Sequence, residues 1–561
     1  MSASNNTGEG MSRHICPISE LSFEITDTER ELYGMFDLPV SDMHPFLRFV
    51  MRFAHGNNWS LYWTTEMRTG KKILTCYDPK EFPKIVEHGY WMSNEFDARE
   101  YGRAFDFSRP FFEQYFEMVA EIPRPNVTIL NCENVEYANH VFWSKNCYLC
   151  FICFHCENVL YSFRARKCRE SMYLFNCRES ELCFQCANCI NCFDVHYAEF
   201  CSDCRGCRFL SNCIDCSECY QCTNLKHKQY CIQNVQYTKD EYGARMSAID
   251  LSSFAVFQKE WSAWQSFLAT QPIQAERNIN CEDCTGTLLT NCRSCRNCSN
   301  LSNAENSVNS YGNNQSETCD ASAEGSQQGV MAVGFLDSQR VAFTMIAEHC
   351  YDILYSQHMF QSHDCFGCFG LKKASWCILN KEYEPAEYED MKKGIVSHMK
   401  KTGEWGKYFP PRYSPFAWDD TNAAAVLISS FDDYEDVAAR LGLRSAPRTD
   451  AMERSDAVSA QALPDRPDDF SENDIHTVWV CSTSGRPYKI TKQELALYRR
   501  FRAPLPRAHW RTVFEHFYPQ MYPMPHEAVC GACGKHIYSY IRPEKTTRIL
   551  LCDACFEGER A

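Results

Sequence analysis

The chain has 561 residues, too many for one hydrophobic core, so several structural units are expected. A formal net charge of −15 opposes general nucleic-acid binding and leaves that role to local basic patches, while 36 cysteines set the chain apart from ordinary globular composition. The opening MSASNNTGEGMSRHICPISEL has no apolar run of signal length, and no stretch approaches the ~20 apolar residues of a membrane span. The expected compartment is therefore the cytoplasm, with no membrane partner, where clustered thiols stay reduced and point to metal or packing.

Residues 1–13 read as a disordered tail and 14–97 as a compact module. Within it, CPISELSFEITDTERELYGMF (16–36) aligns with CSTSGRPYKITKQELALYRRF (481–501) at an offset of 465, so the two terminal modules are duplicates. Both carry a capping box that starts a helix, Thr26 with Glu29 and Thr491 with Glu494. Continuing the alignment places Glu66, Thr69, His88 and Trp91 at the ligand positions of the C-terminal copy, which predicts a degenerate zinc-ribbon-like module without metal. Residues 98–125 hold a predicted capping helix, SRPFFEQYFEMVAEI, with Ser108 as N-cap and Pro110 in its first turn, expected to cover one end of the solenoid that follows.

From 126 to 237 the cysteine spacing dominates. Nineteen cysteines lie between Cys132 and Cys231, and every one has a residue number divisible by three. Chance gives that register about once in 10^9 trials, so a structural repeat enforces it. The other in-register positions are almost all small or aliphatic, among them Val135, Ala138, Val141, Ser144, Ser162 and Leu174, with no charge until Lys228, while bulky and charged residues occupy the two positions between. A strand has period 2 and a helix 3.6, so a strict three describes a chain that turns a corner every third residue. Asn131, Asn146, Asn176, Asn188, Asn191 and Asn212 each precede an inward cysteine, where they tolerate the left-handed backbone of a corner. Outward Tyr161, Tyr173, Tyr197 and Phe209 share a column at multiples of twelve, which predicts a β-solenoid of about 12 residues per coil, with coils of 18 or 24 residues as the alternatives. At roughly 3.3 Å per residue its perimeter is ~40 Å, a tube that admits only small side chains. In period and filling this resembles the slender β-helices of beetle antifreeze proteins.

Residues 238–277 form a predicted helical connector, and 278–383 repeat the solenoid. CTNLKHKQYCIQNVQYTKDEY (222–242) and CFGLKKASWCILNKEYEPAEY (368–388) align without gaps at an offset of 146. This second copy slips register by one residue between Thr290 and Cys292 and contains a polar tract at about 303–330, expected as a mobile insertion. A helical segment at 384–442 precedes a charged, Pro- and Ser-containing stretch at 443–475, which reads as a flexible linker freeing the last module. In 476–561, Cys530, Cys533, Cys552 and Cys555 form C-x2-C-x18-C-x2-C. Two such knuckles can enclose one Zn2+ with four thiolates in a closed, structural site. The expected fold class is mainly β with α: two narrow Cys-lined β-solenoids with capping helices, flanked by zinc-ribbon-like terminal modules.

The elements EYGRAFDFSRPFFEQ, EIPRPNV, the NC/CxxC solenoid, MKKTGEWGKYFPP followed by SPFAWDDT, and RPYKITKQELALYRRFRAPLPR with its ribbon together resemble an uncharacterised family of cysteine-rich, zinc-ribbon proteins of candidate-phyla bacteria. The resemblance spans the chain outside roughly 420–475 and implies an order of parts, not an activity. Members carry more complete ribbons at both ends. This chain departs from that pattern by losing the N-terminal ligands and by placing AHWRTVFEHFY where a second knuckle follows PLPR.

Three readings of function follow. The absence of a P-loop, G-x-G-x-x-G, H-E-x-x-H or nucleophile elbow leads to an expectation of no enzymatic activity. The first reading is a zinc-binding scaffold presenting the solenoid to protein partners, with Tyr161, Tyr173 and Tyr197 as contact strips. The second uses the C-terminal ribbon and the basic cluster Arg499, Arg500, Arg502, Arg507 and Arg511 to engage nucleic acid. In the third, solenoid thiols bind metal. Cys189, Cys192, Cys201 and Cys204 are neighbours within a coil and across a ~4.8 Å step, with Cys213 and Cys216 extending the array, so zinc or an iron–sulfur cluster competes there with simple packing and, less favourably, disulfides. His140, His155, His196 and His227 are outward and are expected to be solvated.

Overall fold

The computed structural model describes residues 12–445 and 457–560. It is a mixed α/β fold with a β-solenoid region over residues 129–378 flanked by helices. The chain divides into two compact units, Met1–Asn126 with Glu276–Ala446 and Tyr522–His526, and Val127–Ala275 with Pro447–Met521 and Glu527–Ala561. Among the described residues no helix is long and apolar enough to cross a membrane.

In the second unit, twelve strands from Ile129–Leu130 to Val235–Gln236 form one sheet. Parallel partners stand twelve residues apart throughout, as in Lys145↔Glu157, Glu157↔Arg169, Phe193↔Arg205 and Ser217↔Gln229. The corner prediction holds residue by residue. From Asn131 to Gln233 every third residue has φ near +50°, including Trp143 (48°), Ile152 (57°) and Phe209 (59°). A left-handed corner costs a residue other than Gly or Asn roughly 1–2 kcal/mol. Offsetting it are the backbone bonds of each coil step, such as Lys145 N–H to Cys156 O (2.9 Å), and side-chain ladders in which Asn134 donates to Asn146 and Asn146 to Asn158, both at 2.9 Å.

The inward thiols also work as donors. Cys150 Sγ donates to Tyr148 O (3.6 Å) and Val159 O (3.2 Å), and Cys186 to Phe184 O (3.6 Å) and Val195 O (3.2 Å). Carbonyls two residues back and nine residues on thus gain a second partner in a tube too narrow for water. Ser162 fills the same role, donating to Leu160 O (2.9 Å) while accepting from Leu174 N–H (3.1 Å). Cysteine suits the interior because it is small, soft and still a weak donor.

In the first unit, the sheet from Asn278–Ile279 to Lys381–Glu382 has thirteen strands. Its register is less uniform. Asn278↔Leu289, Leu301↔Gly312 and Ser316↔Gln327 are eleven apart, and twelve returns at Gln327↔Gln339. Two shortened sides carry glycine, Gly286 at φ +143° and Gly312 at φ +128°. A Cβ there would lie 2.1 Å from Cys298 O and 2.0 Å from Ala323 O, so no other residue fits beneath the next coil. The tract 303–330, expected as a mobile insertion, is part of this stack. Ser307, Ser310, Thr318, Cys319, Ala321 and Ser326 are buried, and Asn303, Asn306 and Asn309 hold left-handed corners. Low hydrophobicity signalled a tube filled with Ser, Thr and Ala rather than Cys.

Both stacks end alike. An antiparallel return pairs Ile232 with Val235 and Ile378 with Lys381, and Asn234 and Asn380 accept from Thr223 N–H (3.0 Å) and Phe369 N–H (2.8 Å). The helix Phe111–Glu121 departs from expectation. It packs within the first unit, with Phe111 5.7 Å from Tyr355 and 5.4 Å from Phe366. Its first N–H groups are taken by Glu404, at 2.9 Å from both Phe111 and Phe112, whereas Ser108 turns its hydroxyl to Asp106. Chain proximity to the solenoid beginning at 126 did not decide where an aromatic helix face packs.

The last two residues of the expected tail belong to the strand Ser12–Ile15, which pairs with Ser22–Ile25, while residues 1–11 lie outside the described residues. The expected linker likewise falls partly outside, at 446–456. Residues 443–445 bond the preceding segment, Arg444 O accepting from Trp418 N–H (2.8 Å), and the stretch after 456 is held by the C-terminal module: Arg507 donates to Leu463 O (2.8 Å) and Pro464 O (2.9 Å), and Arg499 to Pro467 O (3.2 Å) and Phe470 O (3.1 Å).

Candidate metal centre

Four hairpin turns share one backbone form, in which the first residue's N–H bonds the carbonyl five residues on and the residue four on bonds back to the first carbonyl. The pairs are Cys16 N–H to Leu21 O with Glu20 N–H to Cys16 O, Glu66 to Lys71 with Gly70 to Glu66, Cys481 to Arg486 with Gly485 to Cys481, and Cys530 to Lys535 with Gly534 to Cys530. All eight distances are 2.8–3.0 Å. Position four of the turn holds Ser19, Thr69, Ser484 and Cys533, so a second thiol is present in the last turn alone. In that last case Cys530, Cys533, Cys552 and Cys555 converge, their sulfur atoms all within 4.8 Å of one another, a group able to hold a metal ion.

The local fold supports the quartet. The strands His526–Val529 and His536–Ser539 form the hairpin, Leu550–Leu551 brings in the second pair, and the helix Asp553–Arg560 begins at it. Gly531 N–H bonds Leu550 O (2.8 Å) and Cys552 N–H reaches Cys530 Sγ (3.4 Å). Burial pushes the Cys530 thiol up, but N–H groups of Cys552, Cys533 and Ala532 outweigh it and bring it down to about 6. Cys555 is pushed up to about 12, chiefly by its contact with Cys533. One thiolate already favoured beside three thiols within reach is the donor set of a thiolate-rich centre.

The three other turns are filled by their own side chains. Glu66 Oε2 accepts from Arg68 N–H (3.0 Å), Thr69 N–H (2.5 Å) and Thr69 Oγ1 (2.7 Å), filling its turn from within. His88 is half-buried and Trp91 packs in the core, its indole donating to Pro123 O (3.0 Å). Cys16 and Cys481 were not among the residues singled out from the sequence, although the C-x2-S recurring at the 465 offset signalled them. Burial raises the Cys481 thiol, yet Ser484 and the N–H of His509 overcome it and lower it to about 7.

Among the described residues one other group of three ligand atoms lies within 4.8 Å, Glu29, Cys319 and Asp320. A cation is already there: Arg48 bonds Glu29 (2.8 Å) and Asp320 (2.6 Å), and Arg52 lies 3.4 Å from Asp320. The solenoid candidates Cys189, Cys192, Cys201, Cys204, Cys213 and Cys216 form no such group. They are buried in consecutive coils and donate to carbonyls, for example Cys189 to Ala187 O (3.4 Å) and Ala198 O (3.6 Å), and Cys204 to Ser202 O (3.3 Å) and Cys213 O (3.5 Å).

The five arginines are bonded within their own unit. Besides Arg499 and Arg507 above, Arg500 pairs with Glu170, Arg502 with Asp250 (3.2 Å) and Arg511 with Glu515 (3.0 Å). Tyr161, Tyr173 and Tyr197 are not outward contact strips but are buried beneath helices of the same chain. Tyr161 donates to Glu494 (2.8 Å), Tyr173 stacks on Tyr161 (4.9 Å), and Tyr197 meets Phe257 (5.0 Å). Phe514 packs on Phe151 (5.9 Å) and Phe175 (4.8 Å), so the helical part of the C-terminal module is docked on its stack rather than free. His196 is buried with it, 5.1 Å from Phe501, and desolvation drives its basicity well down. His155 stays exposed, stacked on Trp143 at 5.1 Å, and exposed His227 pairs with Asp215 (2.8 Å).

No protein-family model matches the chain, and no curated protein matches it. The family resemblance of the motifs thus assigns no residue a role, and function must be read from the geometry.

Proposed function

We propose that the protein is a non-enzymatic, zinc-bearing scaffold. The observation that carries this reading is the convergence of Cys530, Cys533, Cys552 and Cys555 on paired knuckles. Four thiolates around Zn2+ leave no position for substrate and hold a small module together, which is structural chemistry. The two solenoid stacks are rigid platforms, and each carries a duplicated two-helix module of the same chain on one face. On another face of the stack in the second unit, Phe142 stacks on Phe154 (5.0 Å) and Trp143 on His155, with Trp143 51% exposed. This uncovered aromatic ladder is the surface we assign to a protein partner. The nucleic-acid reading has weaker support, because the arginines it needs are engaged internally.

Elemental analysis of the purified full-length protein tests the zinc site. One equivalent of zinc should be lost when Cys530→Ser and Cys533→Ser are introduced together. Zinc content unchanged by that pair, or absent from wild-type protein prepared without chelator, overturns the assignment.

A further inference from the structure

The open end of the stack in the first unit carries a second thiol quartet. NCEDCTGTLLTNCRSC places Cys281, Cys284, Cys292 and Cys295 in C-x2-C-x7-C-x2-C. The first two belong to the terminal coil and the next two to the coil stacked on it. Glu282 N–H to Cys292 O and Thr285 N–H to Cys295 O, both 2.9 Å, fix that register. Cys281 therefore faces Cys292 and Cys284 faces Cys295 across one coil step, while Cys292 contacts Cys295 along its coil. The four sulfurs do not all lie within 4.8 Å of one another, so a metal must draw them together.

An equivalent quartet, Cys189, Cys192, Cys201 and Cys204, lies sealed in the other stack, with coils on both sides. The terminal one differs in access and freedom. Cys281 and Cys284 are half-buried where their interior counterparts are fully buried, and Glu282 and Asp283 between them are exposed. Gly286 makes the coil one residue short, so the end layer departs from the strict repeat. Cys281 and Cys284 donate to the near carbonyls Ile279 O (3.3 Å) and Glu282 O (3.2 Å), whereas Cys292 and Cys295 also reach the following coil at Leu301 O (3.4 Å) and Ala304 O (3.6 Å). A terminal layer can pucker towards a tetrahedron without breaking the stack. An interior layer cannot.

We propose that Cys281, Cys284, Cys292 and Cys295 form a solvent-accessible thiolate site for a divalent d10 cation of the zinc–cadmium class. Binding releases thiol protons to solvent and forms metal–sulfur bonds, with no change of oxidation state.

The test uses the full-length chain with the ribbon disabled by Cys530→Ser and Cys533→Ser, titrated with Cd2+ and read by thiolate-to-cadmium absorbance. One equivalent should bind. Binding should vanish on adding Cys281→Ser and Cys284→Ser and should persist with Cys189→Ser and Cys192→Ser instead. In wild-type protein, Cd2+ should protect Cys281 and Cys284 from alkylation, read by peptide mapping, which keeps the test independent of any variant's folding. Undiminished binding in the Cys281→Ser, Cys284→Ser protein, or alkylation of these two unaffected by Cd2+, overturns the proposal. The ribbon assignment stands or falls separately, on the equivalent lost with Cys530 and Cys533.

Discussion

The helix pair Asp27–Gly34 and Pro45–Phe53 in the first unit and the pair Lys492–Phe501 and Trp510–Phe517 in the second dock on their stacks with matching residues. Glu29 and Glu494 occupy the third helical position, Tyr33 and Tyr498 lie one turn on, and Phe49 and Phe514 face the stack, all at the 465 offset. Both acids are buried, but they are accommodated differently. Glu29 meets Arg48, which also bonds Asp320 at a left-handed corner of the stack, and Tyr33 donates to the same carboxylate (3.1 Å). Position 513, the counterpart of Arg48, is valine. Glu494 keeps Tyr161 Oη (2.8 Å) and Thr491 N–H (3.3 Å), and burial pushes its carboxyl up to about 7. Burial pushes the Glu29 carboxyl up as well, against the pull of Arg48, so the two acids differ in having or lacking a buried cation.

The largest effect follows from opening the ionic docking. Asp320→Asn leaves Arg48 and Arg52 buried with Glu29 as their one remaining carboxylate. Removing one partner of a buried ion pair costs about 3–5 kcal/mol, because the charge left behind is unsolvated. A lowered denaturant midpoint for the first unit, with new tryptic cuts around Pro45–Phe53, is the expected result. A loss below about 1 kcal/mol would mean that the two dockings do not differ in kind.

The docking that lacks a buried cation predicts a pH dependence centred near neutrality. The folded-state pKa of Glu494 lies above its unfolded value, so its stabilising contribution is complete below about 4.5 and is lost as pH rises through about 7. A rise from about 4.5 to about 7 corresponds to about 3 kcal/mol as an upper bound. Hydrogen exchange across Lys492–Phe501 should therefore accelerate from pH 5 to pH 8, after correction for intrinsic exchange. Glu494→Gln, which cannot ionise, should flatten that rise. An equal rise in the glutamine variant would locate the titration elsewhere.

Much of this architecture is legible in residue spacing. A period of three with small residues inward fixes corners, coil length and tube diameter together, since each constrains the others. Cys530, Cys533, Cys552 and Cys555 are legible for the same reason, because ligand chemistry demands both residue type and interval. What the faces pack against is not legible. Tyr161, Tyr173 and Tyr197 form an outward column whether a partner protein or Glu494 and Phe257 of the same chain cover them. The polar tract at 303–330 misleads because its hydrophobicity is that of a loop, while the cues that decide its fold, Asn at corners with Ser or Thr beside them, act through geometry rather than apolar burial.

The stacks differ in filling as the dockings differ in charge, and the smallest predicted effect tests what that difference means. The stack of the second unit is mostly thiol, whereas the other uses Ser307, Ser310, Ser326, Ser338, Ser356 and Ser362 at inward sites. If the interior thiol serves as a small donor, serine should replace it at little cost, since Ser356 donates to Leu354 O (2.8 Å) as Cys201 donates to Glu199 O (3.3 Å). Cys201→Ser should then change stability by under about 1 kcal/mol, the net worth of an ordinary hydrogen bond. Cys201→Ala, which removes the donor and leaves a small void, should cost more, about 1–2 kcal/mol. Ligation at Cys201 would reverse that expectation, because serine and alanine would then be equally damaging and would release metal. Thermal unfolding of the two variants beside wild type, with metal content measured on each, separates filler from ligand at a site that is closed to solvent in either case.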